Sequence, residues 1–371
     1  MILLWCYEEN SDQYNYDAPW YAYEVAVKDD VTFVHVVEHG ALEHQSVLLV
    51  NSLRKFGGEF KDCTVFAISP RGRGNLSPQT IKEYRKLGVR FVSIALNTLW
   101  KEYPFVNTSY AAAYVEGIQE NQAKYLVLLD TDVIFTSEPR ELILNGEEKV
   151  GLRPIDTTSE EIAFQMHEQI PLYWKEIFSV CGNNPENIWE VRTTLDKVMV
   201  TACFNNGVVV SAISNKLFTR CIQGMEKALA VPYFRNLDRS SLEWHYLDQT
   251  FLSSVIMRDY VESEVKVLEE GYNYPFSPRV LAEESDYGFR NVSVLHYHSM
   301  FYRRAVIDRF RNNEELFSFL AGFLPLPVNV GAGLFTRVVD AIPVPVRKWL
   351  RNSFLFPVIK DLARILNIYM V

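Results

Sequence analysis

Short apolar runs and amphipathic segments alternate along the first half of the chain. Apolar runs of strand length, suited to burial on both faces, occupy residues 32–37, 63–69, 90–94 and 125–129. Segments with apolar residues at helical spacing lie between them, at residues 42–56, 77–87 and 108–120. Gly57 and Gly88 follow the first two of these segments, and Ser77 opens the second, as expected at helix ends. This order predicts a parallel sheet with helices on its faces.

The regular alternation ends near residue 150. Residues 151–200 contain scattered aromatic residues and are predicted to form a mostly helical and irregular lobe. Three further patterns follow it. Residues 204–211 predict a tight turn that leads into a strand, residues 244–251 open an amphipathic helix, and residues 292–299 predict a strand ending in two histidines.

The two ends of the chain differ from its middle. Residues 1–30 are aromatic and acidic and are predicted to form an extra hairpin at an edge of the sheet. Residues 319–371 are rich in proline, and from residue 335 onward six Lys/Arg stand against two Asp. The last helix, after Pro357, combines a basic face with apolar residues. Such a helix either lies on an anionic membrane surface or packs on the protein with its basic face in solvent.

Composition narrows the class of protein. The 371 residues are 48% hydrophobic and 22% charged, which is typical of a globular protein with one large domain or two smaller ones. The net charge of −9 argues against a general nucleic-acid binder, because phosphate backbones require a basic surface.

The cysteines and the hydropathy pattern indicate a compartment. Five cysteines, none in a Cys-x-x-Cys pair, favour buried thiols in a reducing environment over disulfides or a zinc site. The first residues lack the basic and apolar regions of a signal peptide, and no run of 18 apolar residues occurs. We therefore expect a cytoplasmic protein, peripheral to the inner face of a membrane if the basic tail binds lipid.

Two acidic residues, Asp130 and Asp132, stand at the end of the fourth predicted strand. Ligands of open α/β sheets bind beyond the carboxyl ends of the strands. Two neighbouring acids there are costly unless a positive charge lies against them, and a divalent cation that also contacts a phosphate would supply it. The bare triplet also occurs in solvated loops. The buried strand before it and the apolar residues 133–135 after it favour a metal site.

Four short motifs in this order resemble the GT-A glycosyltransferases. They are the Asp-x-Asp of residues 130–132, Asn206-Gly207 on a strand, Asp248-Gln249 on a helix, and the late histidine His296. The spacing is most similar to the family of glycogenin and the bacterial lipopolysaccharide galactosyl- and glucosyltransferases, over roughly residues 31–305.

The resemblance implies a fold and a domain organisation. It implies a Rossmann-like, mostly parallel sheet with helices on both faces, a helical lobe on the acceptor side and a helical C-terminal tail. The chain would then consist of an N-terminal edge segment (1–30), a GT-A domain (31–318) and a basic amphipathic tail (319–371). Within the domain, residues 31–135 would bind the nucleotide and residues 151–305 the acceptor.

The resemblance also implies a reaction: metal-dependent transfer of a sugar from a nucleotide sugar, with a UDP-sugar expected, to a glycan, a lipid-linked or another hydroxyl acceptor. Mn²⁺ or Mg²⁺ would bind to Asp130, Asp132 and His296 and stabilise the departing diphosphate. His296 is favoured because it directly follows the strand. The alternation of strand side chains places His298 on the same face, so both histidines remain candidates.

The remaining site residues follow from the same resemblance. Asp248 and Gln249 would lie at the reacting carbon, although Asp248 could instead cap its helix. The expected donor-binding residues are Glu38, His39, Asn107, Asp130, Asn206, Gly207 and Arg303. Two family features are absent, an arginine on the helix before the Asp-x-Asp strand and a Lys-Pro-Trp after the histidine, for which Asn107 or Tyr110 and Arg303 or Arg304 are the nearest substitutes. A retaining reaction would need no dedicated base, whereas an inverting one would use Asp248 or Glu243.

Three other functions have to be distinguished from this one. A phosphatase of the haloacid dehalogenase type also places Asp-x-Asp after a strand, but usually after its first strand and with Thr or Val where Ile134 stands here. A non-catalytic module would bind the nucleotide sugar without transfer. A nucleotidyltransferase would require a glycine-rich basic loop near the N-terminus, which this sequence lacks.

Overall fold

The computed structural model describes residues 27–72, 75–118, 121–158, 162–277, 291–298 and 300–327. The helices are α1 (Val27–Asp30), α2 (Ala41–Phe56), α3 (Pro78–Leu87), α4 (Asn107–Gly117), α5 (Leu172–Cys181), α6 (Leu217–Ala228), α7 (Pro232–Arg235), α8 (Leu242–His245), α9 (Leu247–Asp259) and α10 (Glu314–Ala321). The strands are β1 (Val31–Val36), β2 (Thr64–Ser69), β3 (Val89–Ser93), β4 (Tyr125–Leu129), β5 (Val133–Phe135), β6 (Val150–Pro154), β7 (Glu190–Arg192), β8 (Met199–Thr201), β9 (Phe204–Ala212), β10 (Val265–Val267), β11 (Tyr274–Pro275) and β12 (Val294–His296).

The central sheet has seven strands in the order β10-β6-β9-β4-β1-β2-β3. Strands β1 to β4 are parallel to their neighbours among themselves, and β6 is parallel to β10. Strand β9 alone runs antiparallel, between β4 and β6. The predicted α/β architecture, a mostly parallel sheet covered by helices, is confirmed.

The central strands are buried on both faces. Side chains of β4 point alternately to two cores: Leu126 and Leu128 pack with helices α4, α6 and α9, whereas Val127 and Leu129 pack with α2. Each fully buried aliphatic side chain of this kind contributes about 1.5–3 kcal/mol relative to exposure. The apolar run in the sequence therefore has the composition that its position between two helical layers requires.

The predicted helix ends are found where the sequence places them. The Ser77 hydroxyl oxygen accepts a hydrogen bond from the Thr80 amide at 3.2 Å and caps α3. Gly88 ends that helix with φ of 67°, a left-handed conformation that glycine adopts without strain. Helix α2 ends at Gly57, whose amide donates to the Leu53 carbonyl at 2.9 Å.

A second, smaller sheet forms behind the Asp-x-Asp segment, in the order β11-β12-β5. Strand β12 is antiparallel to β5 and pairs His296 with Val133. The chain therefore returns, more than 160 residues after the Asp-x-Asp triplet, to the residue that directly follows it. This pairing fixes the position of the late histidines.

Two local predictions are wrong. Asn206 and Gly207 do not form a tight turn, because they lie inside β9 near a register shift between β6 and β9. Residues 151–200 are not mostly helical: besides α5 they contain the end of β6 and the antiparallel pair β7–β8. For β9, long-range pairing with β4 and β6 determines the conformation, and local sequence does not report it. Strands β7 and β8 instead pair with each other across a short connection.

The predictions for the two chain ends fall mostly outside the described residues. A hairpin is predicted within residues 1–30, of which residues 1–26 lie outside the described residues. Residues 27–30 form the short helix α1. Helix α10 crosses the predicted boundary at residue 318, and the amphipathic tail from residue 328 lies outside the described part. Cys63, Cys181, Cys203 and Cys221 are all buried, as expected. Among the described helices, none has the length and apolar character needed to cross a membrane.

Candidate active site

Three strand ends bring the predicted acids and the histidine together. Asp130 follows β4, and its amide donates to the Gly207 carbonyl of β9 at 2.8 Å. The hydroxyl of Thr131 donates to the Val36 carbonyl at 2.7 Å and ties the triplet to the end of β1. Asp132 precedes β5, and its carbonyl accepts from the Tyr297 amide at 3.0 Å, just after β12. The backbone pairing of the two sheets thus places both carboxylates beside His296.

The side-chain distances define a compact cluster. His296 Nε2 lies 3.1 Å from Asp132 Oδ1 and 3.9 Å from Asp130 Oδ2. The His298 ring stacks on the His296 ring with 4.0 Å between centroids. His298 has φ of 46°, a left-handed conformation that non-glycine residues seldom adopt. The backbone therefore holds both histidines beside Asp132.

Charge in the cluster is shared between the acids and His296. Burial alone would favour neutral His296, but the carboxylate of Asp132, with its hydrogen bond, raises the pKa of His296 to about 9. Burial would also favour neutral Asp132, but the His296 cation holds the pKa of that carboxyl at about 2. Burial, together with the nearby positive charge of His296, lowers the pKa of His298 to about 3. His296 and Asp132 thus form a charged pair beside a neutral His298.

Asp130 has a different environment from Asp132. Burial, together with the negative charges of Asp132 and Asp248, raises the pKa of Asp130 to about 7, although His296 opposes the shift. Among the residues that the structure describes, no protein hydrogen bond reaches the Asp130 carboxylate, and its side chain is 25% exposed. Its ion pair with His296, at 3.9 Å, is longer than that of Asp132, at 3.1 Å.

Asp248 lies in the first turn of α9 and is tightly held. Its Oδ1 accepts the Tyr103 hydroxyl at 2.7 Å, and its Oδ2 accepts the Asn206 amide at 2.7 Å. Its own amide donates to the Tyr103 oxygen at 3.0 Å. Burial raises the pKa of Asp248 even so. Gln249, the next residue, is also buried. Asn206 and Asp248, predicted from separate motifs, are therefore in direct contact.

The predicted nucleotide-binding residues lie at the ends of the neighbouring strands. Glu38, after β1, forms an ion pair with Arg71, after β2, at 3.2 Å. The His39 ring is exposed and pairs with Glu43 at 2.8 Å, so it contacts the first turn of α2. None of these residues touches the Asp130 cluster directly in the contacts that the described residues make.

Two further predicted residues lie at the margin. Asn107 is buried at the start of α4, and its Oδ1 accepts from Asn97 at 2.9 Å. Tyr110, its alternative, donates to Glu226 at 3.1 Å and so contacts α6. Arg303 is exposed, after the late histidines.

Four residues of the site escaped the sequence analysis. Tyr103 holds Asp248, Asn205 and Asn273 lie behind His296, and the Asp156 charge contributes to the raised pKa of His296. Asp156 follows β6, whose carboxyl end lies at the same edge as Asp130. For Asp156, this position directly after a strand was the one signal in the sequence. Tyr103 and Asn273 lie in irregular segments with no motif.

The donor atoms of the cluster fit a divalent cation. One ligand atom each from Asp132, His296 and His298 lies within 4.8 Å of the other two. One ion with metal–ligand bonds of about 2.0–2.6 Å can bridge such a set. A cation would also add positive charge beside Asp130, whose ion pair with His296 is 3.9 Å long. Carboxylate oxygens together with imidazole nitrogen suit Mn²⁺ as well as Mg²⁺ or better.

Comparison with solved structures gives matches of low identity. A crystal structure of the galactosyltransferase LgtC with donor and acceptor sugar analogs is 16% identical, with a TM-score of 0.48, over 81% of this chain and 98% of that chain. Mouse xyloside xylosyltransferase 1 is 13% identical, with a TM-score of 0.40, over 72% and 97%. The bifunctional glycosyltransferase WbbM is 11% identical, with a TM-score of 0.46, over 83% and 52%. No curated protein sequence matches this chain significantly.

A family model gives the assignment. The model of the Rhodobacterales glycosyltransferase domain matches residues 33–259, which is more than half of the chain. The matched segment contains the acids after β4, the Asn206-Gly207 pair and the Asp248-Gln249 pair, whereas the late histidines follow it. This match confirms the predicted class of enzyme and excludes the phosphatase. The chain belongs to the Rhodobacterales glycosyltransferase family and is a glycosyltransferase.

Proposed function

We propose that the enzyme moves a sugar from a nucleotide sugar, with a UDP-sugar as the expected donor, to a hydroxyl group of a glycan or lipid-linked acceptor. Asp130, Asp132 and His296 would hold Mn²⁺ or Mg²⁺, with His298 as a further or alternative ligand. The bound cation would supply positive charge for the diphosphate that leaves the sugar.

The observation that carries this proposal is the weak pairing of Asp130, whose ion pair with His296 is 3.9 Å long. Its pKa is raised by burial and by two neighbouring acids, and no described protein group donates to it. A largely buried acid that receives no hydrogen bond destabilises the folded state unless a ligand stabilises its charge. A cation bound at this edge of the sheet, together with a diphosphate, would stabilise the charge of Asp130.

The other residues of the proposed site take roles that match their contacts. Asp248 and Asn206 bond each other, so together they present one fixed polar surface for hydroxyl groups of the donor sugar. Gln249 would lie beside the reacting carbon. Both oxygens of Asp248 already accept hydrogen bonds, which suits a positioning role better than a role as the base. The contacts thus favour a reaction without a dedicated base.

The nucleoside would bind at the ends of β1 and β2, near Glu38, His39 and Asn107. The Glu38–Arg71 pair is only about one-quarter exposed on each side, so it already forms a polar wall there. The exposed Arg303 would meet the diphosphate. The acceptor would enter from the lobe of residues 151–200 and from α8.

The test is a transfer assay with a panel of nucleotide sugars, in EDTA and with Mn²⁺ or Mg²⁺ added. We expect sugar release or transfer from one donor only when the metal is present, and loss of that activity in Asp130→Ala and Asp132→Ala. Asp62→Ala, which removes an exposed acid far from the site, is the matched control and should be fully active. Metal-dependent nucleotide binding without any turnover would identify a non-catalytic module instead. Full activity in both site variants would refute the metal assignment.

A further inference from the structure

We propose that Asn205 and Asn273 form a positioning relay that fixes which nitrogen of His296 faces the cation. This inference rests on the proposed metal site and adds to it the part of the protein behind the ligand. The second ring N–H of a metal-binding histidine generally donates a hydrogen bond to a protein acceptor, and that partner sets the orientation of the ring.

The relay consists of three hydrogen bonds in a row. The Gly207 amide donates to Asn205 Oδ1 at 2.8 Å, and Asn273 Nδ2 donates to the same oxygen at 2.8 Å. Asn273 Oδ1 lies 2.9 Å from His296 Nδ1. On the other side of the ring, His296 Nε2 faces Asp132 at 3.1 Å.

The direction of the relay follows from its first bond. A backbone N–H can only donate, so the Asn205 atom that meets Gly207 must be the amide oxygen. That oxygen can only accept, so the Asn273 atom beside it must be the NH₂ group. Asn273 then presents its oxygen to His296, and His296 Nδ1 must carry the hydrogen. In neutral His296 the free lone pair therefore lies on Nε2, the nitrogen that faces Asp132 and Asp130.

Packing supports the same assignment. Asn273 is 3% exposed and has φ of 49°, a left-handed conformation that asparagine tolerates better than most residues. A Cβ atom on Gly207 would lie 2.6 Å from Asn273 Oδ1 and 2.9 Å from His296 Nδ1. The absence of a side chain at residue 207 thus leaves room for the relay against β9. Gly207 therefore allows close approach of the relay, in addition to any approach of the sugar.

The experiment measures Mn²⁺ affinity of the full chain by electron paramagnetic resonance, without any donor or acceptor. Asn273→Ala removes the acceptor for His296 and should weaken Mn²⁺ binding about 10- to 100-fold. Asn273→Asp keeps the acceptor for His296, although it loses the N–H donor to Asn205, and should bind Mn²⁺ more tightly than Asn273→Ala. Thermal unfolding of each variant checks that the fold is retained.

A matched control separates the relay from a general loss of buried amide bonds. Asn183 also makes two hydrogen bonds, both to Ser254 and at 2.7 and 2.8 Å, but far from the cluster. Asn183→Ala should bind Mn²⁺ like the wild type. If Asn273→Ala also binds like the wild type while Asp132→Asn does not bind, the relay is refuted and the metal site stands. If the wild type does not bind Mn²⁺ at all, both proposals fall.

Discussion

Glu116 and Asp130 are two acids with raised pKa values that differ in the hydrogen bonds they receive from the described residues. Glu116 ends α4 and is 2% exposed, and its carboxylate accepts from the amides of Phe218 and Thr219 at 3.1 and 2.9 Å and from the Thr219 hydroxyl at 2.8 Å. Asp130 ends β4 and receives no such bond among the described residues, while two other acids lie nearby.

The two acids differ in their hydrogen-bond partners as well as in exposure, which is 2% for Glu116 and 25% for the Asp130 side chain. Burial raises the pKa of both carboxyls, but at Glu116 the start of α6 supplies donors that oppose the shift. Negative charge at a helix N-terminus is favourable, so Glu116 stabilises the junction of α4 and α6. At Asp130 the described residues supply no hydrogen-bond donor, and the ion pair with His296 is a long one, at 3.9 Å. Glu116 therefore serves the fold, whereas Asp130 is the acid that we propose to be available for a ligand.

The largest expected effect is on the rate of sugar transfer, from a substitution in the Asp-x-Asp triplet. Asp132→Asn should lower the rate of sugar transfer about 10²- to 10³-fold, because charge on the leaving diphosphate would lose its stabilisation. Steady-state assays with the preferred nucleotide sugar measure this, with Asp62→Asn as the control at an exposed acid. A fall of less than about threefold would contradict a role of Asp132 in binding the metal.

The packing behind His296 gives the next effect. Gly207→Ala would place a methyl group against Asn273 and His296, and overpacking of this kind costs about 1–3 kcal/mol. Denaturant unfolding should show that loss, and Mn²⁺ titration should show weaker binding in the same variant. The matched variant Gly224→Ala, within α6, meets Phe251 at a less severe 3.3 Å. Its Mn²⁺ affinity should be that of the wild type, and a weaker affinity there would contradict the account.

Glu116→Gln tests the opposite half of the comparison. Its NH₂ group would meet amide donors at the start of α6, so the free energy of unfolding should fall by about 1–3 kcal/mol. Because the change lies at the other edge of the sheet, Mn²⁺ affinity should not change. Urea unfolding and metal titration on the same samples decide this. Weaker metal binding with unchanged stability would reverse the roles assigned to the two acids.

The smallest effect is a pH dependence of stability. The pKa of Asp130 is raised in the folded protein, so its ionisation opposes folding, and stability is lost as pH rises through about 7. Without metal, Asp130→Asn should therefore melt a few degrees above the wild type at pH 8, a difference that disappears near pH 4. Melting curves in EDTA across this range provide the measurement. A variant that melts below the wild type at pH 8 would show that Asp130 has a stabilising partner.

The sequence predicts most of the framework and part of the site. The strands of the first half, the cap at Ser77 and the left-handed Gly88 depend on neighbouring residues, so local patterns report them. The insertion of β9 between β4 and β6 depends on pairing across about 80 residues, and the turn predicted at Asn206 was wrong for that reason.

The same physical distinction applies to the site. Asp130, Asp132 and His296 follow apolar strands, and strand ends are recognisable in a sequence. Asn273 and Tyr103 act through hydrogen bonds from irregular segments, whose positions only the folded chain defines. The residues that hold the chemical groups in place are therefore harder to predict than the groups themselves.

The most direct test of the central claim is calorimetric titration of UDP into the wild type and into Asp130→Asn, with Mn²⁺ and in EDTA. If the acids after β4 hold a cation that contacts the diphosphate, UDP should bind the wild type only with Mn²⁺, and the variant should lose that dependence together with the affinity. UDP binding of equal strength in EDTA, or unchanged metal-dependent binding by the variant, would contradict the account.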